Sequence, residues 1–268
     1  MIVFPNAKLN LGLHITGKRP DGYHDLETVF YPLPFYDILE ILPGDHFEFI
    51  LSGAKLDGSA GDNLCVKAYR LLKQDFPELP ELKIFLYKNI PAGAGLGGGS
   101  ADGAFLLSLL NTTFQLGLSP GQLGVYALRL GSDCPFFILN KPCLATGRGE
   151  ILSPVSLNLS AYSFVLVNPG IHIPTGRAFS RLALSPPVKS MVEIIEKPPE
   201  TWKGQLKNDF EEMVLQEYPE LNQIGKRLYE AGAVYVSMTG SGSCFYGIFP
   251  GKKMPRVEFQ ENYRVIYP

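Results

Sequence analysis

The stretch "YKNIPAGAGLGGGSADGAFLLSLL", residues 87–110, sets five glycines into the seven positions from Gly93 to Gly99. Glycine loses more conformational freedom on folding than any other residue, so such a cluster needs a reason. Upstream, "ELKIFLYKN" alternates and is rich in Ile, Phe and Tyr, which predicts a strand. Downstream, the apolar spacing from Ser100 to Leu110 predicts a helix. Strand, glycine loop and helix start together turn free backbone N–H groups, and the positive end of a helix dipole, toward an anion. A wide turn that lets a helix pack closely is the plainer alternative, although ordinary turns use one or two glycines. Phosphate binding accounts for the cluster better.

Several phosphate loops compete for this string. A Walker A loop ends in Gly-Lys-Ser/Thr, and "GGGSA" has no lysine there. Gly93-Ala94-Gly95-Leu96-Gly97-Gly98 satisfies G-x-G-x-x-G, but a dinucleotide fold then needs a second strand ending in an acid about 20 residues on. Residues 112–118 read "TTFQLGL" instead, and Ser119-Pro120-Gly121-Gln122 opens another helix with a capping box. A protein-kinase loop fails for want of any H-R-D or D-F-G string.

"IPAGAGLGGGSA" resembles the phosphate loop of the GHMP kinases, named for galactokinase and the homoserine, mevalonate and phosphomevalonate kinases. It departs from their usual Gly-Leu-Gly-Ser-Ser-Ala: the serine pair falls at Gly98-Gly99, and a serine follows only at Ser100. The resemblance implies that Pro91, Ala92, Gly93, Ala94, Gly95, Leu96, Gly97, Gly98, Gly99, Ser100 and Ala101 cradle the phosphates of ATP. It also implies that Asn63 and Lys88 lie near the adenine, and that Mg²⁺ accompanies the nucleotide.

The chain has 268 residues, of which 46% are hydrophobic and 19% charged, the profile of a globular protein large enough for one large or two modest domains. A net charge of −2 without a Lys/Arg run disfavours nucleic acid as a partner. No apolar run approaches the roughly 18 residues of a membrane span, and "MIVFPNAKLN" lacks a signal-peptide layout. The four cysteines show no C-x-x-C spacing, so reduced thiols in the cytoplasm are expected.

Strand patterns fill residues 2–51, a helix opens at Asp62-Asn63, and "FFILN" and "ATGRGEILSPV" read as returns to strand. The best linker is "SPVSLNLSA", near residues 153–161. Strands and helices without regular βαβ alternation predict an α+β fold of two domains, 1–157 and 158–268. The resemblance implies the same two-domain GHMP kinase fold. Its N-terminal domain binds the nucleotide, its C-terminal domain is ferredoxin-like, and the active site lies in the cleft between them.

Other chemistry-bearing positions follow. In "NAKLNLGLH", a period of two puts Lys8, Asn10 and His14 on one strand face, opposite Leu9, Leu11 and Leu13. By itself that polar face could simply meet solvent; the resemblance makes it an active-site face. In "LGSDCPFFILN", Asp133 is expected on a turn feeding a strand. The segment resembles the family's G-x-D-x-P string, which supplies a catalytic aspartate. A carboxylate can take a substrate hydroxyl proton, and a nearby lysine favours its charged form. Lys8 and Asp133 are therefore the expected catalytic pair. "SMTGSGSCFYG" reads either as a hairpin turn or, by resemblance, as the family's third motif, with Thr239 to Ser243 near the triphosphate. Asp102 is expected in the first turn of its helix, where it caps or helps hold Mg²⁺ through water. His46 and His172 have no assignable role.

"RPDGYHDLETVFYPL", "LGSDCPFF", "GRGEIL", "NPGIHIPT" and "KNDFE" are similar to one branch of the GHMP kinases, the one acting on 4-diphosphocytidyl-2-C-methyl-D-erythritol. That resemblance implies substrate-binding roles for Asn10, Tyr23, His24, Thr175 and Phe179. Tyr23 and Phe179 would sandwich a cytosine that His24 reads at its edge, and Thr175 would hold the diphosphate. ATP and this sugar-alcohol nucleotide are the expected small-molecule partners, with neither nucleic acid nor membrane. A monomer or weak homodimer is expected.

Overall fold

The computed structural model describes residues 1–54, 59–174, 176, 190–252 and 254–268. The strands described are β1 (Ile2–Val3), β2 (Asn6–Lys18), β3 (His24–Tyr36), β4 (Ile38–Pro43), β5 (Glu48–Gly53), β6 (Leu82–Lys88), β7 (Cys143–Thr146), β8 (Ile151–Pro154), β9 (Tyr162–Asn168), β10 (Tyr235–Met238), β11 (Phe245–Pro250) and β12 (Arg264–Ile266). The helices are α1 (Leu64–Asp75), α2 (Gly98–Thr113), α3 (Pro120–Leu130), α4 (Cys134–Leu139), α5 (Met191–Ile195), α6 (Asp209–Glu217) and α7 (Asn222–Glu230).

The described chain gathers into two compact units that trade segments: residues 1–8, 32–92 and 97–141 in one, and residues 9–31, 93–96 and 142–268 in the other. This divides the chain differently from a single cut at 157/158. The reason is β2 and β3, two 13-residue strands that each begin in one unit and end in the other.

In the first unit, β1, β4, β6 and β5 form a sheet in that order, antiparallel except for the parallel β5–β6 pair. Period-two alternation buries Leu82, Ile84, Leu86 and Lys88 of β6, so the strand turns a lysine inward with its aliphatic residues. Helix α2 buries residues around most of its circumference, including Asp102 and Leu106. Gly103 lets it lie close to α1, since a Cβ there would come within 3.0 Å of the Leu64 side chain. Ser119 and Gln122 form the expected capping box at the start of α3, with Pro120 in its first turn.

"FFILN" is not a strand. Its first four residues lie in α4 and Asn140 caps the helix C-terminus, with Asp133 at the N-cap in helical geometry (φ −80°, ψ −17°) and Pro135 in the first turn. Proline is tolerated there because its missing N–H would have no intrahelical partner anyway. Helix α2 also starts two residues before Ser100, which moves Asp102 out of the first turn.

In the second unit, β10, β11, β9 and β12 form an antiparallel sheet. Numbered within the sheet, the strand order is 2-3-1-4, the order of a ferredoxin-like fold. Its core joins Val165 and Val167 to Phe210 and Val214 of α6 and Ile224 and Leu228 of α7. The remaining sheet runs β2-β3-β7-β8, and its β7–β8 hairpin matches the strands expected from "ATGRGEILSPV".

Candidate active site

In the first unit, Lys8 Nζ stands 3.3 Å from Asp133 Oδ2. The lysine side chain is 4% exposed and the aspartate 35%, so the carboxylate faces solvent while the amine is enclosed. Gly97 makes this placement possible. It caps α2 in the left-handed region (φ 71°), and a Cβ there would fall 2.9 Å from Lys8 Cγ and 3.0 Å from Phe137. The glycine thus starts the helix and leaves room for the lysine stem. Gly98 follows with its own constraint, since a Cβ would meet Ile90 at 2.8 Å and Lys88 Nζ at 3.1 Å. Gly99 faces open space, with nothing within 4 Å of a Cβ. The Ser100 hydroxyl shares a hydrogen bond with the Cys134 thiol, which burial pushes up to about 12. Cys65, Cys143 and Cys244 are also buried free thiols.

Lys88, expected beside the adenine, has its amine taken up by two buried carboxylates. It donates to Asp37 Oδ2, and to Asp102 Oδ2 at 2.7 Å. Asp37 Oδ1 also accepts the backbone N–H groups of Asn89 (2.6 Å) and Ile90 (2.8 Å), the residues leading into the glycine loop. Asp37 was not legible as a site residue, because an acid at the end of a strand pattern looks like an ordinary turn residue. Asn63, the other position expected near the adenine, caps α1 by accepting the N–H of Cys65 at 2.9 Å.

In the second unit, the middle of the glycine loop meets the 239–243 turn backbone to backbone. A Cβ on Gly95 would lie 2.0 Å from the Thr239 carbonyl oxygen, and one on Gly240 would lie 2.9 Å from Gly95 Cα. The Thr239 hydroxyl donates to Gly95 O at 3.2 Å and accepts the backbone N–H of Asn10 at 3.0 Å. Asn10 is buried, and its side-chain amide donates to Thr28 Oγ1 at 3.0 Å. Asn208 fixes the turn: its amide donates to Met238 O and Gly240 O, both at 2.9 Å, while its Oδ1 accepts the Phe210 N–H that starts α6. Its neighbour Asp209 receives His14 Nδ1 at 3.0 Å and the Ile15 N–H at 2.8 Å. Thr28, Asn208 and Asp209 escaped the sequence reading of roles, although "RPDGYHDLETVFYPL" flagged the segment of the first and "KNDFE" that of the other two. His172 packs on Gly93, its Nδ1 2.5 Å from where a Cβ would stand.

Tyr23 is 55% exposed and sits at a turn that Arg19 and Asp21 brace. The Arg148 guanidinium lies 4.9 Å from its ring centroid, a cation–π distance. His24 follows as the first residue of β3, half-buried. Thr175 and Phe179 lie outside the described residues.

Comparison with known proteins fits this geometry. The GHMP kinases N terminal domain family matches residues 63–141, and the GHMP kinases C terminal family residues 190–259. A 4-diphosphocytidyl-2-C-methyl-D-erythritol kinase of Bacteroides fragilis is 52% identical over 265 residues, 97% of this chain and 96% of its own. The chain belongs to this family of GHMP kinases. A second member, from Bacteroides thetaiotaomicron, is 49% identical over 98% of this chain and 97% of its own. A crystal structure of 4-(cytidine 5'-diphospho)-2C-methyl-D-erythritol kinase superposes with a TM-score of 0.77 at 32% identity, covering 92% of this chain and 90% of that one. As a GHMP kinase, the chain uses ATP as co-substrate.

The donor set for a protein-held metal is thin in this GHMP kinase. Among the described residues no three His, Cys, Asp or Glu side chains gather to hold an ion. Asp102, the acid nearest the glycine loop in sequence, is 2% exposed and bonded to Lys88. It does not fit a Mg²⁺ ligand.

Proposed function

We propose that this chain transfers the γ-phosphoryl group of ATP to the 2-hydroxyl of 4-diphosphocytidyl-2-C-methyl-D-erythritol, in the mevalonate-independent route to isoprenoid precursors. The observation that carries the reading is the 3.3 Å Lys8–Asp133 pair, with the lysine stem lying against Gly97 of the glycine loop. Asp133 is the exposed partner and accepts the proton of the substrate hydroxyl. Lys8 supplies fixed positive charge as the attacking oxygen becomes anionic. Residues 91–101 cradle the phosphates, with backbone N–H groups from Ala92 onward, and Asn63 lies on the nucleotide side. Phosphoryl transfer is chiefly positioning plus charge stabilisation, so the chain need form no covalent intermediate. Mg²⁺, if carried in on the nucleotide phosphates, would offset part of their charge.

Substrate choice rests on Tyr23, an exposed ring already braced from one side, together with His24, Asn10, Thr175 and Phe179. Relatives about 50% identical over almost the whole chain support the assignment. We place the enzyme in the cytoplasm as a monomer or weak homodimer, with its functional domains at 1–157 and 158–268. No helix among the described residues is long and apolar enough to cross a membrane.

Turnover with a substrate series tests the reading: the diphosphocytidyl compound, its uridine analogue, mevalonate and homoserine. Preference for cytosine is expected, because uracil exchanges donor and acceptor at two ring positions. Tyr23→Ala should raise the KM of the cytidine compound about 5- to 150-fold, the span of a stacking contact worth roughly 1–3 kcal/mol, and leave the ATP KM nearly alone. Equal turnover of mevalonate or homoserine would overturn the substrate assignment.

A further inference from the structure

The Asp37–Lys88–Asp102 cluster has no part in the chemistry proposed above, yet it brackets the glycine loop. Its members come from the β3–β4 junction, the end of β6 and the second turn of α2, and all three side chains are at most 2% exposed. Asp37 holds the lead-in side through the N–H groups of Asn89 and Ile90. Asp102 holds the far side through Lys88. Lys88 also lies beneath Gly98, so a shift of the amine would press on the loop itself.

The charges do not balance if both acids are ionised, since two carboxylates then share one cation away from water. The donors are divided unequally as well. Asp37 collects Lys88 and two backbone N–H groups, whereas Asp102 has only Lys88 and the neighbouring Asp37 carboxyl, and its Oδ1 has no hydrogen-bond partner. A buried carboxylate oxygen without a donor is costly when charged and far less so when neutral. A proton taken up by the cluster is therefore held best on Asp102. The group facing it from α1 is the buried thiol of Cys65, which adds no compensating charge.

We propose that Lys88 is a positioning residue that fixes the glycine loop in its phosphate-binding shape, and that Asp102 is a neutral carboxylic acid at neutral pH. Neutrality has a functional consequence. An ionised Asp102 would set a negative charge behind the glycine loop and repel the triphosphate; a protonated one leaves the loop open to an anion. Burial is the largest influence on Asp102 and acts to keep its proton, with the nearby Asp37 charge acting the same way against Lys88.

The loop-binding half of this inference rests on the ATP site proposed above; the protonation half does not, and the experiment separates them. Infrared spectroscopy of the nucleotide-free protein at pH 7 should show a protonated carboxyl C=O stretch that disappears in Asp102→Asn. Its absence in the wild type would overturn the neutral acid, whatever the loop binds. Asp102→Ala should raise the ATP KM about tenfold while changing kcat less, and the isosteric Asp102→Asn should restore it to within about threefold of wild type, since its amide keeps the hydrogen bonding of a neutral acid. If Asp102→Asn lost as much ATP affinity as Asp102→Ala, the charge would matter and the proposal would fail. Should the carboxyl band be present and assigned while neither variant moves the ATP KM, the positioning role would be wrong and the glycine loop itself would come into question.

Discussion

The two halves of the glycine-loop surroundings are held by different physics. In the first unit a buried lysine lies between two aspartates. In the second, the 239–243 turn is held by neutral groups: the Asn208 amide on two carbonyls and the Thr239 hydroxyl between Gly95 and Asn10. A buried charge cluster is unforgiving, because removing one member strands the others; a neutral network loses one bond at a time. The first arrangement gives a rigid start to α2, and the second lets a turn of glycine and serine lie close to another glycine turn. The contrast predicts unequal sensitivity to mutation.

The largest effect should come from Lys88→Met. It removes the cation and leaves two buried acids, a change expected to cost about 3–5 kcal/mol of folding stability. Urea unfolding would measure it, and a loss below about 1 kcal/mol would mean the cluster is not sealed from water. Asn208→Ala should cost less, about 1–3 kcal/mol, for one helix cap and two bonds to buried carbonyls. If it proved as damaging as Lys88→Met, the distinction between the two regions would collapse.

The smallest effect is a pH dependence. The Asp102 carboxyl is raised in the folded protein, chiefly by burial. A raised acid gives stability that is complete below the unfolded carboxylate value and lost as pH climbs through the folded value. Asp102→Asn has nothing to titrate there. Its stability relative to wild type should therefore increase from pH 4 toward pH 8, read as the difference in Tm across that range. A constant difference would remove Asp102 as the titrating group.

How much of this was legible in the sequence depended on range. The strand, glycine loop and helix, and the capping box at Ser119 and Gln122, are local patterns, and both stand in the structure. The ferredoxin-like sheet came with the family resemblance, since its strand order reflects pairings of β9 with strands roughly 80 to 100 residues away. "FFILN" misled because a short apolar run fits a buried strand and a short helix equally well, and proline in a first helical turn resembles a breaker. Lys8 and Asp133 are 125 positions apart in the chain, and the resemblance, not periodicity, paired them; the structure sets them 3.3 Å apart. Asp37 was invisible for a different reason. Its importance lies in neutralising a lysine that alternation turned inward, and no pattern in one dimension shows which acid will meet it.

The central claim is that the Lys8–Asp133 pair performs the phosphoryl transfer, and the kcat of Asp133→Asn tests it most directly. The amide keeps the shape of the side chain and loses its capacity to accept a proton. Steady-state turnover with the diphosphocytidyl substrate should fall about 10²–10⁴-fold, with the KM for ATP nearly unchanged. A folded Asp133→Asn enzyme with near-normal kcat would contradict the account.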